Sequence, residues 1–108
     1  MGGFLCPEFD IMKGNKYSFR TTAHTCSAPD ASGAYSDCDG VGSCAVDVHE
    51  NGIENDFKPG STNGIDTDQE FHVKIEFDKD GAEQFSGYTL TLTQGADRSL
   101  VLSSTNCS

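Results

Sequence analysis

Phe71-His72-Val73-Lys74-Ile75-Glu76-Phe77 alternates apolar and polar residues without a break. That period of two is the signature of a β-strand with one buried face, which puts Phe71, Val73, Ile75 and Phe77 inward and His72, Lys74 and Glu76 outward. Asp78-Lys79-Asp80-Gly81 follows as a turn. Residues 88–94 and 99–105 flank Gly95-Ala96-Asp97-Arg98 and predict a hairpin. Upstream, Phe9 and Ile11 alternate with Glu8, Asp10 and Met12, a further strand pattern, and residues 16–22 carry Tyr17 and Phe19 on one face. Lys13-Gly14-Asn15 supplies turn chemistry between those two strands. Residues 27–44 are a Ser/Asp/Gly-rich loop, and residues 45–65 are mostly turns around Asn51-Gly52, Lys58-Pro59-Gly60 and Asn63-Gly64. No segment shows a 3.6-residue apolar period. The chain reads as all-β and antiparallel, with five or six strands in a single small domain, 1–108.

The chain has 108 residues, 35% of them hydrophobic, and a net charge of −10 from 17 acidic and 7 basic side chains. The acidic excess argues against nucleic acid or an anionic membrane as partner. No apolar run approaches the roughly 20 residues of a membrane span, so no membrane insertion is expected. Met1 to Leu5 lacks the basic and apolar regions of a signal peptide. Either a leader has been removed or the sequence is a piece of a longer product. Five cysteines in a short acidic chain point to disulfides made in an oxidising, extracellular compartment, with one thiol left over. Cysteine spacing matches no zinc pattern, and His24, His49 and His72 are scattered. Asp66-Thr67-Asp68 and Asp78-Lys79-Asp80-Gly81 lack the remaining ligand positions of a calcium loop. No metal and no cofactor is expected. Asn106-Cys107-Ser108 fits a glycosylation sequon with a cysteine at its centre.

Glu8 and Asp10 stand at i and i+2 on one strand face. Like charges at that spacing repel, so a packing role gives little reason for them, although a solvated strand face would tolerate both. A retaining glycosidase uses such a set: a nucleophilic carboxylate, an acid/base roughly 5–5.5 Å away, and charged neighbours that hold their pKa values apart.

Cys6-Pro7-Glu8-Phe9-Asp10 with Asn15 resembles the active-site strand of glycoside hydrolase family 7, the cellulases and cellobiohydrolases, whose motif is Glu-x-Asp-x-x-Glu. The resemblance continues through His24-Thr25-Cys26, Gly33-Ala34-Tyr35-Ser36-Asp37, the pair Cys38 and Cys44, Lys58-Pro59-Gly60, Ile65-Asp66-Thr67 and the strand 71–77. It covers about residues 6–80, a central part of the family's longer domain. It implies a β-sandwich fragment of the concanavalin-like jelly-roll type, with a linear β-1,4-glucan or related polysaccharide as substrate class. Glu8 takes the nucleophile position and Asp10 that of its electrostatic partner. Lys13 replaces the acid/base Glu, and lysine, with a reference pKa of about 10.4, is a poor proton donor near neutrality. The motif also implies a β-bulge between Asp10 and Lys13, because a five-residue step otherwise reverses the face.

The resemblance further implies disulfides Cys26–Cys38 and Cys44–Cys107, with Cys6 unpaired or bonded externally. His24 corresponds to a family histidine near the acid/base, or is a loop histidine beside a disulfide. Asn15 matches the motif and also suits a turn. Glu50 falls where cellobiohydrolases often place a substrate-binding Arg. There is no tryptophan; Tyr17, Tyr35, Phe57 and Tyr88 are left to stack on sugar or to pack in core and turns. The expectation is an extracellular glycan-associated or structural module that keeps the nucleophile strand and is catalytically impaired. Lys13 would then pair with Glu8 or Asp10. The alternatives are an active retaining glycosidase with another donor (Asp37, Asp39 or Glu50), and a disulfide-stapled subunit with no glycan role, paired with a chain that completes its sheet.

Overall fold

The computed structural model describes residues 5–105 and 107. Six strands form two three-stranded antiparallel sheets. The first contains β1 (Glu8–Asn15), β2 (Ser18–His24) and β3 (Cys44–Asp47), in that spatial order. Two short strands, β4 (Phe57–Lys58) and β5 (Ile65–Asp66), form a small parallel pair. The second sheet contains β6 (His72–Lys79), β7 (Phe85–Gln94) and β8 (Arg98–Ser104), with β7 central. One 3₁₀ turn, Glu54–Asp56, precedes β4, and no α-helix occurs among the described residues. The fold is all-β, as the alternation predicts.

The core lies between the two sheets. Phe19, Thr21 and Ala23 of β2 and Val46 of β3 are buried from one side, and Tyr88, Leu90, Leu92, Leu100 and Leu102 from the other. Leu90 pairs with Leu102 and Leu92 with Leu100 across β7 and β8, so four leucines form one apolar patch. Full burial of each such side chain is favourable by about 1.5–3 kcal/mol. The Tyr88 hydroxyl crosses the interior and donates to the Thr21 carbonyl at 3.1 Å, which satisfies the one polar atom on that ring. Phe9 packs edge-on to Tyr88 and Phe77, with ring centroids 4.9 and 5.2 Å away. The Cys44–Cys107 disulfide ties β3 to the segment after β8, and Cys26–Cys38 closes the loop after β2. Cys6 is free and exposed. Asn106 and Ser108 of the sequon, and Met1 to Phe4, lie outside the described residues.

Several local expectations are corrected. The first hairpin turns at Lys16-Tyr17, not at Lys13-Gly14-Asn15, and Asn15 pairs with Ser18. Asn15 still does turn work, because its side-chain oxygen accepts from the Tyr17 amide at 2.8 Å. Gly14 serves close approach: a Cβ there would lie 2.0 Å from the Ser18 carbonyl oxygen. Ile11 does not follow Phe9 inward and is 43% exposed, since the alternation is reset just after Asp10. Phe77 is 58% exposed at the end of an edge strand, while Val73 and Ile75 are only half-buried. β7 begins at Phe85, three residues before the predicted hairpin strand, and the β4–β5 pair is parallel.

Candidate functional site on the outer face of the first sheet

Register decides what meets on the outer face. Residues 19, 21 and 23 of β2 point into the core, so Arg20, Thr22 and His24 point away from it. Glu8 pairs with His24 and Asp10 with Thr22, but Lys13 pairs with Arg20. Three steps along β1 therefore span two along β2, which is a β-bulge. The extra residue returns Lys13 to the face that carries Asp10. Its ammonium lies 3.1 Å from Asp10 Oδ2.

Asp10 is the hub. The same Oδ2 lies 3.0 Å from His24 Nε2, and both side chains are only 16% exposed. One ligand atom from each of Glu8, Asp10 and His24 lies within 4.8 Å of the others. The neighbouring Glu8 carboxyl, then the contacts with Lys13 and His24, hold the Asp10 carboxyl below its ordinary value against the opposing effect of burial. His24 is shifted the other way. Its Nδ1 faces the Asp39 carbonyl at 2.8 Å, and this contact, followed by Asp10, raises the imidazole above 6.5. Two acceptors, one at each ring nitrogen, favour the imidazolium.

The loop that positions His24 is built locally. The Asp39 carboxylate accepts the amides of Val41, Gly42 and Ser43 at 3.2, 2.9 and 2.6 Å and the Ser43 hydroxyl at 2.8 Å. Those bonds, led by Ser43, hold its pKa down to about 2. Gly42 has φ +85°, and a Cβ there would come within 2.2 Å of Thr22 Cγ2 and 3.0 Å of His24 Cε1, so the loop closes over His24 only with glycine. Cys26–Cys38 staples the two chain segments just beyond His24 and just before Asp39.

Glu8, Asp10, Lys13 and His24 are thus brought together. Asn15 sits at the turn end of β1, opposite Ser18. Glu50, after β3, is an anion matched by Arg20 Nη1 at 3.3 Å. Asp39, read as a conceivable proton donor, is ionised near neutrality and is committed to its own loop. Phe57 and Tyr88 are fully buried and cannot stack on sugar, whereas Tyr17 is exposed at the hairpin tip. The Asp39 carbonyl was not foreseen as a partner for His24. Asp39-Gly40-Val41-Gly42-Ser43, an acid ahead of a Gly-x-Gly run, was the available signal. A cleft of about 660 Å³ opens beside the site, lined by Phe9, Ala23, Phe77 and Phe85 with Glu8 and His24 among its polar walls.

No family model matches the sequence. The chain is 33% identical over 92 residues to Endoglucanase EG-1 of Trichoderma longibrachiatum, which is 85% of this chain and 18% of the relative. It is 30% identical over 92 residues to Endoglucanase EG-1 of Hypocrea jecorina, with the same shares of each chain covered. The match therefore spans less than a fifth of the relatives' length. Over most of its residues, the chain has a cellulase-like sequence relationship.

Proposed function

We propose that this chain is a single small β domain, residues 1–108, like a segment of a family 7 glycoside hydrolase: it keeps the nucleophile strand, is impaired as a hydrolase, and acts as an extracellular module associated with β-1,4-glucan or a related polysaccharide. The observation that carries this reading is Lys13. Past the bulge it shares a face with Glu8 and Asp10 and pairs with Asp10 at 3.1 Å, which supports reading it as the residue that replaces the motif's acid/base. An ammonium held by a carboxylate is a poor general acid near neutrality. Asp39, held at about 2, is no substitute donor. Two disulfides support an oxidising compartment. The similarity to endoglucanases supports the glycan class.

The test combines affinity electrophoresis in soluble β-1,4-glucans with incubation in a 2-fluoro aryl glycoside, which needs no acid to depart. The expected result is retardation by glucan, with no glucan hydrolysis and no covalent adduct. An adduct on Glu8 with turnover of unmodified glucan would establish an active retaining enzyme instead. A second reading, a subunit completed by another chain, is favoured by the exposed Phe77 and by the apolar walls of the cleft between sheet edges. Absence of glucan retention together with concentration-dependent dimerisation would select it.

A further inference from the structure

We propose that Glu8, Asp10 and His24 form a binding site for a divalent first-row transition metal, with zinc the natural probe. The donor set is one imidazole nitrogen and two carboxylates, and one ligand atom from each lies within 4.8 Å of the others. Two ligands of a tetrahedral zinc, each about 2.0–2.2 Å from the ion, sit about 3.3–3.6 Å apart. Asp10 Oδ2 and His24 Nε2 are 3.0 Å apart, so a metal enters between them with a small side-chain adjustment. β1 and β2 fix all three backbones by the pairings Glu8↔His24 and Asp10↔Thr22.

An observation outside the cluster points the same way. His24 Nδ1 is engaged by the Asp39 carbonyl at 2.8 Å. A metal-bound histidine characteristically gives its second ring N–H to such an acceptor, which fixes the tautomer and aims the other nitrogen at the ion. Here the other ring nitrogen, Nε2, already faces Asp10 Oδ2 at 3.0 Å, with Glu8 beside it. The Cys26–Cys38 staple and the Asp39 loop hold that orientation. Three protein ligands leave a fourth position for water, and Glu8 is exposed enough for an ion to reach the site. Lys13 is the competitor. Its ammonium stands on the same Oδ2, but its side chain is 62% exposed and free to swing into solvent. Metal binding releases the His24 Nε2 proton to solvent and exchanges the ammonium contact for three bonds to a divalent ion.

The test is calorimetric titration of the folded chain with Zn²⁺, joined to a ¹⁵N–¹H map of the imidazole nitrogens. We expect one saturable site and a zinc-induced shift of the His24 Nε2 resonance. His24→Gln and Glu8→Gln are each expected to weaken binding by more than the about 10–100-fold that loss of an outer-shell partner costs. Lys13→Met is expected to tighten it. Glu8 is exposed, so its variant tests the site even where the His24 variant fails to fold. Absence of binding tighter than about 1 mM, or binding that survives Glu8→Gln unchanged or moves to His49 or His72, overturns the assignment.

Discussion

The two sheets share a core but are specified by different means. The β6-β7-β8 sheet is regular: two hairpins, long ladders, and one irregularity near Asp78. Its order follows from local alternation, and its outer face carries no clustered chemistry. The β1-β2-β3 sheet holds the bulge, the stapled loop and every residue of the candidate site. Both sheets supply buried residues to the shared core, Phe19, Ala23 and Val46 from one and Tyr88 and four leucines from the other, and the irregular sheet also carries the groups that could do chemistry. An irregularity re-aims side chains, and the regular partner tolerates it because their shared core is already filled.

The largest expected effect is on the link between the sheets. Cys44→Ser with Cys107→Ser opens a loop of sequence separation 63, for which the chain-entropy model gives about 4 kcal/mol of lost stability. The pair Cys26→Ser and Cys38→Ser, separation 12, is expected to cost about 3 kcal/mol. Denaturant unfolding of both variants measures the difference, and equal or reversed losses would mean that the sheets are not held together mainly by the longer staple. Next, Leu90→Ala in the regular sheet should cost about 2–5 kcal/mol, because Leu90 is fully buried. Phe77→Ala in the same sheet should cost no more than about 1 kcal/mol, since that ring is mostly exposed. Comparable losses at the two positions would show that Phe77 is covered in solution.

That contrast marks what local pattern conveys. Alternation at Phe71, Val73 and Ile75 identifies a strand, but not how deeply its inner face is covered. Depth depends on which strand is central, a property of pairing between distant segments. Gly14-Asn15 reads as a turn because glycine and asparagine favour turns, yet Gly14 is needed for its approach to Ser18. Ile11 was expected inside because a sequence shows alternation but not the register against β2 that interrupts it. Glu8, Asp10 and Lys13 were found as candidates from their spacing and the family motif. The resemblance already sets His24 near the acid/base position, but its orientation by a carbonyl 15 residues away is non-local and is hinted at only by the Asp39-Gly40-Val41-Gly42-Ser43 run.

The smallest effect lies within the site. His24 is raised, so its share of the stabilisation is present below 6.5 and is lost as pH rises through its folded value. Asp10 is lowered, so its share is present above 3.8 and is lost as pH falls through its folded value. Both are fully present between 3.8 and 6.5. An NMR titration should place the His24 midpoint above 6.5, and Asp10→Asn should lower it without returning it to 6.5, because the Asp39 carbonyl remains. A midpoint unmoved by Asp10→Asn would remove Asp10 from the network.

The bulge after Asp10 separates address from content. Backbone pairing of Lys13 with Arg20 sets where the side chain at position 13 arrives, and the mostly exposed side chain itself has little say in it. A carboxylate, an ammonium or an amide at that position would be delivered to the same side of Asp10 without refolding the strand. The chemistry of this face can therefore be changed one residue at a time while the scaffold beneath it stays as it is.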